Sequence, residues 1–229
     1  MIKVNSYLLI LISAITTGIA QHPLGLGFLG WISLIPLLQV LTNQNRYSDI
    51  FKHSLLWGLV YHVVVVFWLS TNIGTNSTIA FISMLAAVLI LCFNTVVICS
   101  VWFLIKDSFK YNLIVFSIIW VCVEYLRSYG LLGFPWVALA NTQTDYLYLI
   151  QNAQFVGIYG ISLWVLLINV FLFNTRDYNY KNKQLYISLF LLILPWIAGY
   201  RLFEQYNSKA DDEGLSTLLI QPNINLYDK

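Results

Sequence analysis

Residues 120–143, WVCVEYLRSYGLLGFPWVALANTQ, decide how this chain is read. The first part is an apolar helical pattern that carries Glu124 and Arg127 and breaks at Gly130. A turn follows, Gly133-Phe134-Pro135-Trp136, and then a segment ending in the amides of Asn141 and Gln143. Glu124 and Arg127 are three apart, so they share a helical face and can pair. A charge inside an apolar span is costly and often has a task, although Arg127 near a span end can also snorkel to head groups. Glycine frees the backbone and proline removes a donor. Irregular backbone survives at membrane depth only where it is buried in protein or lines a wet cavity. The turn is therefore expected to form a re-entrant or interface-lying cavity wall. Candidate lipid- or substrate-binding residues are Glu124, Arg127, Phe134, Pro135, Trp136 and Gln143. Phe134 and Trp136 equally suit an interfacial aromatic belt.

Composition places this stretch in a membrane. Of the 229 residues, 59% are hydrophobic and 10% charged, with mean hydropathy +0.73. Soluble domains carry about 25% charged residues, so too little charge remains here to cover a water-facing surface. The formal net charge of +2 comes from basic residues scattered in short loops, which gives nucleic-acid binding no support. Cys92, Cys99 and Cys122 all lie inside apolar runs, where free cysteine packs as a small hydrophobe. His22, His53 and His62 are scattered, so no metal site is expected and no cofactor is implied.

Seven apolar runs are expected to be spans: 7–20, 28–41, 53–70, 79–105, 113–129, 153–173 and 185–203. The first is short enough to resemble a signal-peptide core, but a second run starts almost at once. The two read as a helical hairpin bent at His22-Pro23. Residues 25–30, GLGFLG, fit G-x-G-x-x-G, yet no strand precedes them. A glycine-rich helix start is the better reading. With seven spans, Lys3, Arg46, Lys52, Lys106, Lys110, Arg176, Lys181 and Lys183 fall on the N-terminal side, against Arg127, Arg201, Lys209 and Lys229 on the other. The positive-inside rule then sets the N-terminus in the cytoplasm and the 133–136 turn on the outer face, with the C-terminal tail.

Inside the spans, His62, Asn94 and Asn169 are expected to make interhelical hydrogen bonds. Gly157 and Gly160 are expected to allow close helix approach. Residues 204–214 are a polar linker, and residues 215–221, LSTLLIQ, read as a β-strand. A lone strand has nothing to pair with. The tail at 215–229 is therefore expected to open a soluble domain that the sequence does not complete. No catalytic constellation is complete in this chain.

In order along the chain these residues resemble the bacterial apolipoprotein N-acyltransferases. The match centres on Trp120, Glu124, Leu126, Arg127 and Gly133-Phe134-Pro135-Trp136, with Gln143 after them. It continues through Gln151, Gly157, Tyr159-Gly160 and Asn169. Pro36-Leu37-Leu38, Trp57-Gly58 and the tail Leu219-Ile220-Gln221-Pro222-Asn223-Ile224 add to it. The resemblance implies an all-α integral membrane protein of about seven spans (1–203), a linker (204–214) and the first strand of a nitrilase-like α/β domain (215–229). It implies a bacterial plasma-membrane enzyme that moves an acyl chain from a phospholipid to the N-terminal diacylglyceryl-cysteine of a lipoprotein. That chemistry runs through a thioester on the cysteine of a Glu-Lys-Cys triad in the nitrilase-like domain. The sequence departs from the family here, ending before any position that matches the triad, so the chain alone is expected to be inactive. A small transporter or channel and a non-catalytic membrane scaffold are the alternative readings.

Overall fold

The computed structural model describes residues 5–130, 133–178, 181–207 and 218–220. In chain order the α-helices are α1 (Ser6–Ile19), α2 (Ile35–Thr42), α3 (Tyr47–Val66), α4 (Ser77–Ile105), α5 (Asn112–Arg127), α6 (Leu147–Ile150), α7 (Ala153–Asn174) and α8 (Lys181–Asn207). Short 3₁₀ turns join them, among them Gly27–Trp31, Pro135–Val137 and Leu139–Gln143. No strand occurs among the described residues.

Each expected span meets a helix, but not all seven have the length. Among the described residues, four segments are long and apolar enough to cross a membrane: Tyr47–Thr71, Ser77–Ser108, Ala153–Asn174 and Lys181–Asn207. Spanning needs about 20 residues, and α1 has 14 and α5 has 16. The second run is broken. Pro36 lacks an N–H and suits a helix's first turn, so α2 starts at Ile35 and the residues before it form a separate 3₁₀ turn. The bend at His22-Pro23 is present, with turns joining α1 to Gly27–Trp31.

α4 explains why the bundle needs lipid. Phe81, Leu85, Leu89, Phe93, Val97 and Leu104 are exposed on one side, while Ala80, Met84, Val88, Leu91 and Trp102 are buried on the other. A helix apolar all round belongs in a membrane or a large core. The main core gathers α1 to α5 around an aromatic stack. Trp57 stacks on Tyr61 at 4.6 Å and meets Trp120 edge-on at 5.5 Å, and Phe116 continues the stack at 5.6 Å from Trp120. A second core joins α6, α7 and α8. Proline in a helix interior leaves the carbonyl four residues earlier without its donor. In α8 that proline is Pro195, and Trp164 Nε1 of α7 donates to the freed Leu191 carbonyl at 2.6 Å. α8 runs on through Asn207, four residues into the expected linker. Leu218–Ile220 have no regular secondary structure, and the remainder of the expected strand and domain start lies outside the described residues.

Two glycine readings change. Gly157 has φ 63° and ψ −179°, a kink inside α7. A Cβ there would meet nothing within 4 Å, so its backbone conformation, not helix contact, requires glycine. A Cβ on Gly160 would meet Val156 in the preceding turn at 2.3 Å, so that contact is made within α7. Of the three expected interhelical amide or imidazole bonds, only Asn169 makes one. It accepts from Leu34 N at 2.9 Å and donates to the Gly30 carbonyl at 2.8 Å. His62 Nδ1 and Asn94 Nδ2 bond carbonyls of their own helices, at Gly58 and Leu91. One helical turn brings such a carbonyl closer than any neighbouring helix.

Candidate functional site

α5 ends at Arg127, and the chain turns back on it. Phe134 N donates to the Arg127 carbonyl at 3.0 Å, and Pro135 then opens a 3₁₀ turn. Residues 137–140 lie where two 3₁₀ turns meet, and regular helix bonds do not cover all their backbone groups, although the Ala138 carbonyl also accepts from Asn141 N at 3.0 Å. Four side chains from four parts of the bundle meet them. Tyr61 Oη of α3 donates to the Val137 carbonyl at 3.1 Å. Gln21 Nε2, just past α1, donates to the Ala138 carbonyl at 3.2 Å. Glu124 Oε1 of α5 accepts from Leu139 N at 2.8 Å. Ser162 Oγ of α7 accepts from Ala140 N at 3.0 Å. Unpaired peptide groups away from water cost several kcal/mol each, and these four bonds are why irregular backbone persists here.

The following segment is fastened to the glycine-rich stretch. Trp31 Nε1 donates to Gln143 Oε1 at 2.8 Å, and Gln143 Nε2 donates to the Gly27 carbonyl at 3.2 Å. Gly25 N donates to Asp145, and Phe28 N to the Tyr146 hydroxyl at 2.8 Å. The approach is close: a Cβ on Gly27 would lie 2.0 Å from the Thr142 carbonyl oxygen. The G-x-G-x-x-G pattern is thus a packing strip for residues 142–146.

These bonds hold one wall of a cavity of about 220 Å³, lined by Gln21, His22, Val66, Trp68, Phe134 and Trp136, among others. The ends of α1 and α3 and the turn after α5 meet there. Trp136 is 61% exposed and lies 5.6 Å from Trp68 and 5.4 Å from Phe134. Of the six sequence candidates, Phe134 and Trp136 line the cavity, and Pro135 sets the turn between them. Gln143 lies elsewhere, fully buried against Trp31 and Gly27. Glu124 is buried behind the wall and also accepts from Trp120 Nε1 at 3.1 Å.

The possible Glu124–Arg127 pair resolves differently from its spacing. Glu124 Oε1 is used by Leu139 N and Trp120. The Arg127 Nε and Nη2 groups are buried and have no hydrogen-bond partner among the described residues. Its guanidinium still acts electrostatically on Glu124, Tyr61 and His62. Gln21 Oε1 and His62 Nε2 are likewise buried without a partner among the described residues, while the Glu124 carboxylate also lies against the Ser162 hydroxyl. Buried polar atoms are nearly always paired, so this concentration of open donors and acceptors marks a polar site behind the aromatic wall.

Sequence reading missed Gln21, Tyr61 and Ser162. Each is a single polar or aromatic residue in a different run, and nothing in one-dimensional spacing joins them. The only available signal was Gln21, an amide directly beside the His22-Pro23 bend. Among the cysteines, Cys92 and Cys99 are buried and Cys122 is exposed, lining an apolar hollow with Tyr125 and Tyr159.

The family profile of the apolipoprotein N-acyltransferase N-terminal domain matches residues 13–171. The apolipoprotein N-acyltransferase of Chlorobaculum tepidum is 24% identical over 207 residues, 88% of this chain and 38% of that protein. Those of Geobacter metallireducens and Haemophilus influenzae are each 26% identical, covering 96% and 97% of this chain and 44% and 43% of theirs. The chain thus spans less than half the length of these relatives. The profile covers well over half of the chain and includes both the glycine strip and the cavity wall, so this chain belongs to the apolipoprotein N-acyltransferase family, matched through that family's N-terminal domain.

Proposed function

We propose that this chain is the membrane portion of an apolipoprotein N-acyltransferase. In this reading the enzyme takes an acyl chain from a phospholipid and transfers it to the amino group of a lipoprotein's N-terminal diacylglyceryl-cysteine. The carrying observation is the cavity walled by Phe134 and Trp136 where the ends of α1 and α3 meet the turn after α5. Phe134 and Trp136 contact the lipid portion of a substrate. Arg127 does not line the cavity; from behind the wall its positive charge favours an ester or phosphate oxygen held there. Glu124 and Gln143 position the wall from behind. The bacterial relatives and the apolar helices support a bacterial membrane protein. The ends of the first, third and fifth runs gather at one cavity, which supports seven alternating spans. The basic loops support a cytoplasmic N-terminus, with the cavity and residues 215–229, the proposed start of a nitrilase-like domain, on the outer face.

The test is a chimera in which residues 1–207 replace the matched segment of the Haemophilus influenzae relative. Labelled acyl transfer from phospholipid to a diacylated lipopeptide is expected. A folded chimera that binds neither substrate and transfers nothing sinks the reading. The 229 residues alone are expected to give no turnover. Cys92 and Cys99 are packed between helices and Cys122 faces an apolar hollow, so none is placed to act as an acyl-carrying thiolate. Substrate-dependent flux in proteoliposomes would favour a transporter instead.

A further inference from the structure

At the opposite end of α5 from the aromatic wall lies a groove of about 250 Å³. It forms where α5 begins, α7 ends and α8 begins. The length of α5 puts it roughly 24 Å from the wall, at 1.5 Å rise per residue. Lys110 and Lys183 line it, with Asn112 and Asn174. No Asp or Glu occurs among the described residues that line it. Gln184 also lines it, and its Oε1 is buried without a hydrogen-bond partner among the described residues. The floor is apolar, formed by Leu113, Val170 and Phe171.

We propose that this groove binds the headgroup of an anionic phospholipid as a structural ligand distinct from any acyl donor. The phosphate sits between Lys110 and Lys183. A hydroxyl or ammonium of the headgroup donates to Gln184 Oε1. The acyl chains run along the apolar flank of α8, where Leu189, Phe190, Ile193 and Leu194 are exposed. Two features choose a lipid over a free anion. One is the apolar floor. The other is position: α7 and α8, both long enough to cross a membrane, end and begin at the groove. The positive N-terminal ends of α5 and α8 meet the negative C-terminal end of α7 at the groove, so the dipoles add to the lysines on balance, and a lysine near a membrane surface attracts anionic lipid.

The full chain is purified in detergent, and lipid retention is read by native mass spectrometry after exchange into bilayers. Retention of phosphatidylglycerol over phosphatidylcholine is expected. The K110Q/K183Q variant is expected to retain phosphatidylglycerol about tenfold less, with unchanged thermal unfolding, and K110R/K183R to restore it. Equal retention by the wild type and K110Q/K183Q overturns the proposal. So does equal retention of phosphatidylcholine. If millimolar inorganic phosphate displaces phosphatidylglycerol, the groove is a free-anion site and the lipid assignment fails.

Discussion

Two neighbouring parts of the bundle treat polar groups in opposite ways. In residues 137–143, peptide groups at Val137, Ala138, Leu139 and Ala140 and the Gln143 side chain all have named partners. Just behind residues 134–136, Arg127, His62 and Gln21 keep buried polar atoms with none among the described residues. The first region is built to hold backbone still. The second keeps hydrogen-bonding capacity in reserve, which a structural core avoids because each unpaired group costs about 1–3 kcal/mol. Substitutions on either side of this division should therefore separate stability from activity.

The largest loss is expected on the fastened side. Gly27→Val places a branched side chain where even a Cβ lies 2.0 Å from the Thr142 carbonyl. Backbone must move, at a cost of about 3 kcal/mol or more, and thermal unfolding in detergent should show the chain near collapse. A variant as stable as wild type would mean that the glycine strip does not hold residues 142–146. Glu124→Ala comes next. It strips the acceptor from both Leu139 N and Trp120 Nε1, two buried donors, for an expected loss of about 2–4 kcal/mol. Glu124→Gln keeps one acceptor oxygen and should lose about half as much. Equal losses would show that carboxylate charge, not its hydrogen bonds, does the holding.

These expectations also mark what was legible in sequence. The apolar runs located each long helix, because a helix in lipid must satisfy its own backbone and shows this as an uninterrupted apolar stretch. Glu124, Arg127 and the Phe134-Pro135-Trp136 turn stood out because charge and proline are rare in such runs. The partners of the turn were not legible. Tyr61 in a tyrosine-rich chain, Ser162 beside Gly160 and Gln21 at a bend are ordinary alone. They become a set only when α1, α3 and α7 pack together. The Gly157 kink was hidden too, since sequence does not distinguish a glycine needed for space from one needed for positive φ. The Glu124–Arg127 spacing was correct as helix geometry, but spacing could not show that Leu139 N competes for the same carboxylate.

On the open side, Arg127→Ala removes no hydrogen bond of Nε or Nη2 among the described residues, but it takes a guanidinium from near buried Glu124, so an unfolding loss smaller than that of Glu124→Ala is expected. In the chimera, transfer should also fall about tenfold or more, as expected when a positive charge close behind a proposed anionic or ester site is removed. A variant that melts early but transfers normally once folded would move Arg127 to the structural side.

Trp136→Ala should perturb the fold least and gives the sharpest comparison with Glu124. The ring is 61% exposed and touches Trp68 and Phe134 only at its edge of the wall. Its two ring contacts, with Trp68 and Phe134, are worth at most about 0.5–1.5 kcal/mol each at so exposed a position. The backbone behind the ring stays fixed, because Tyr61, Gln21 and Glu124 bind peptide groups and not the indole. Removing the indole therefore widens the cavity without releasing its frame. A lipid in a wider cavity is held in more orientations, and loss of orientation lowers a transfer rate about tenfold or more. Under the proposed function the acyl-carrying cysteine belongs to the nitrilase-like domain, so formation of the covalent acyl-enzyme should persist in the chimera while overall transfer falls. If Trp136→Ala instead melts the protein as Glu124→Ala does, the wall and its frame are one structural unit. If lipid binding and transfer are both unchanged, the wall does not touch substrate, and Trp136 is an interfacial anchor.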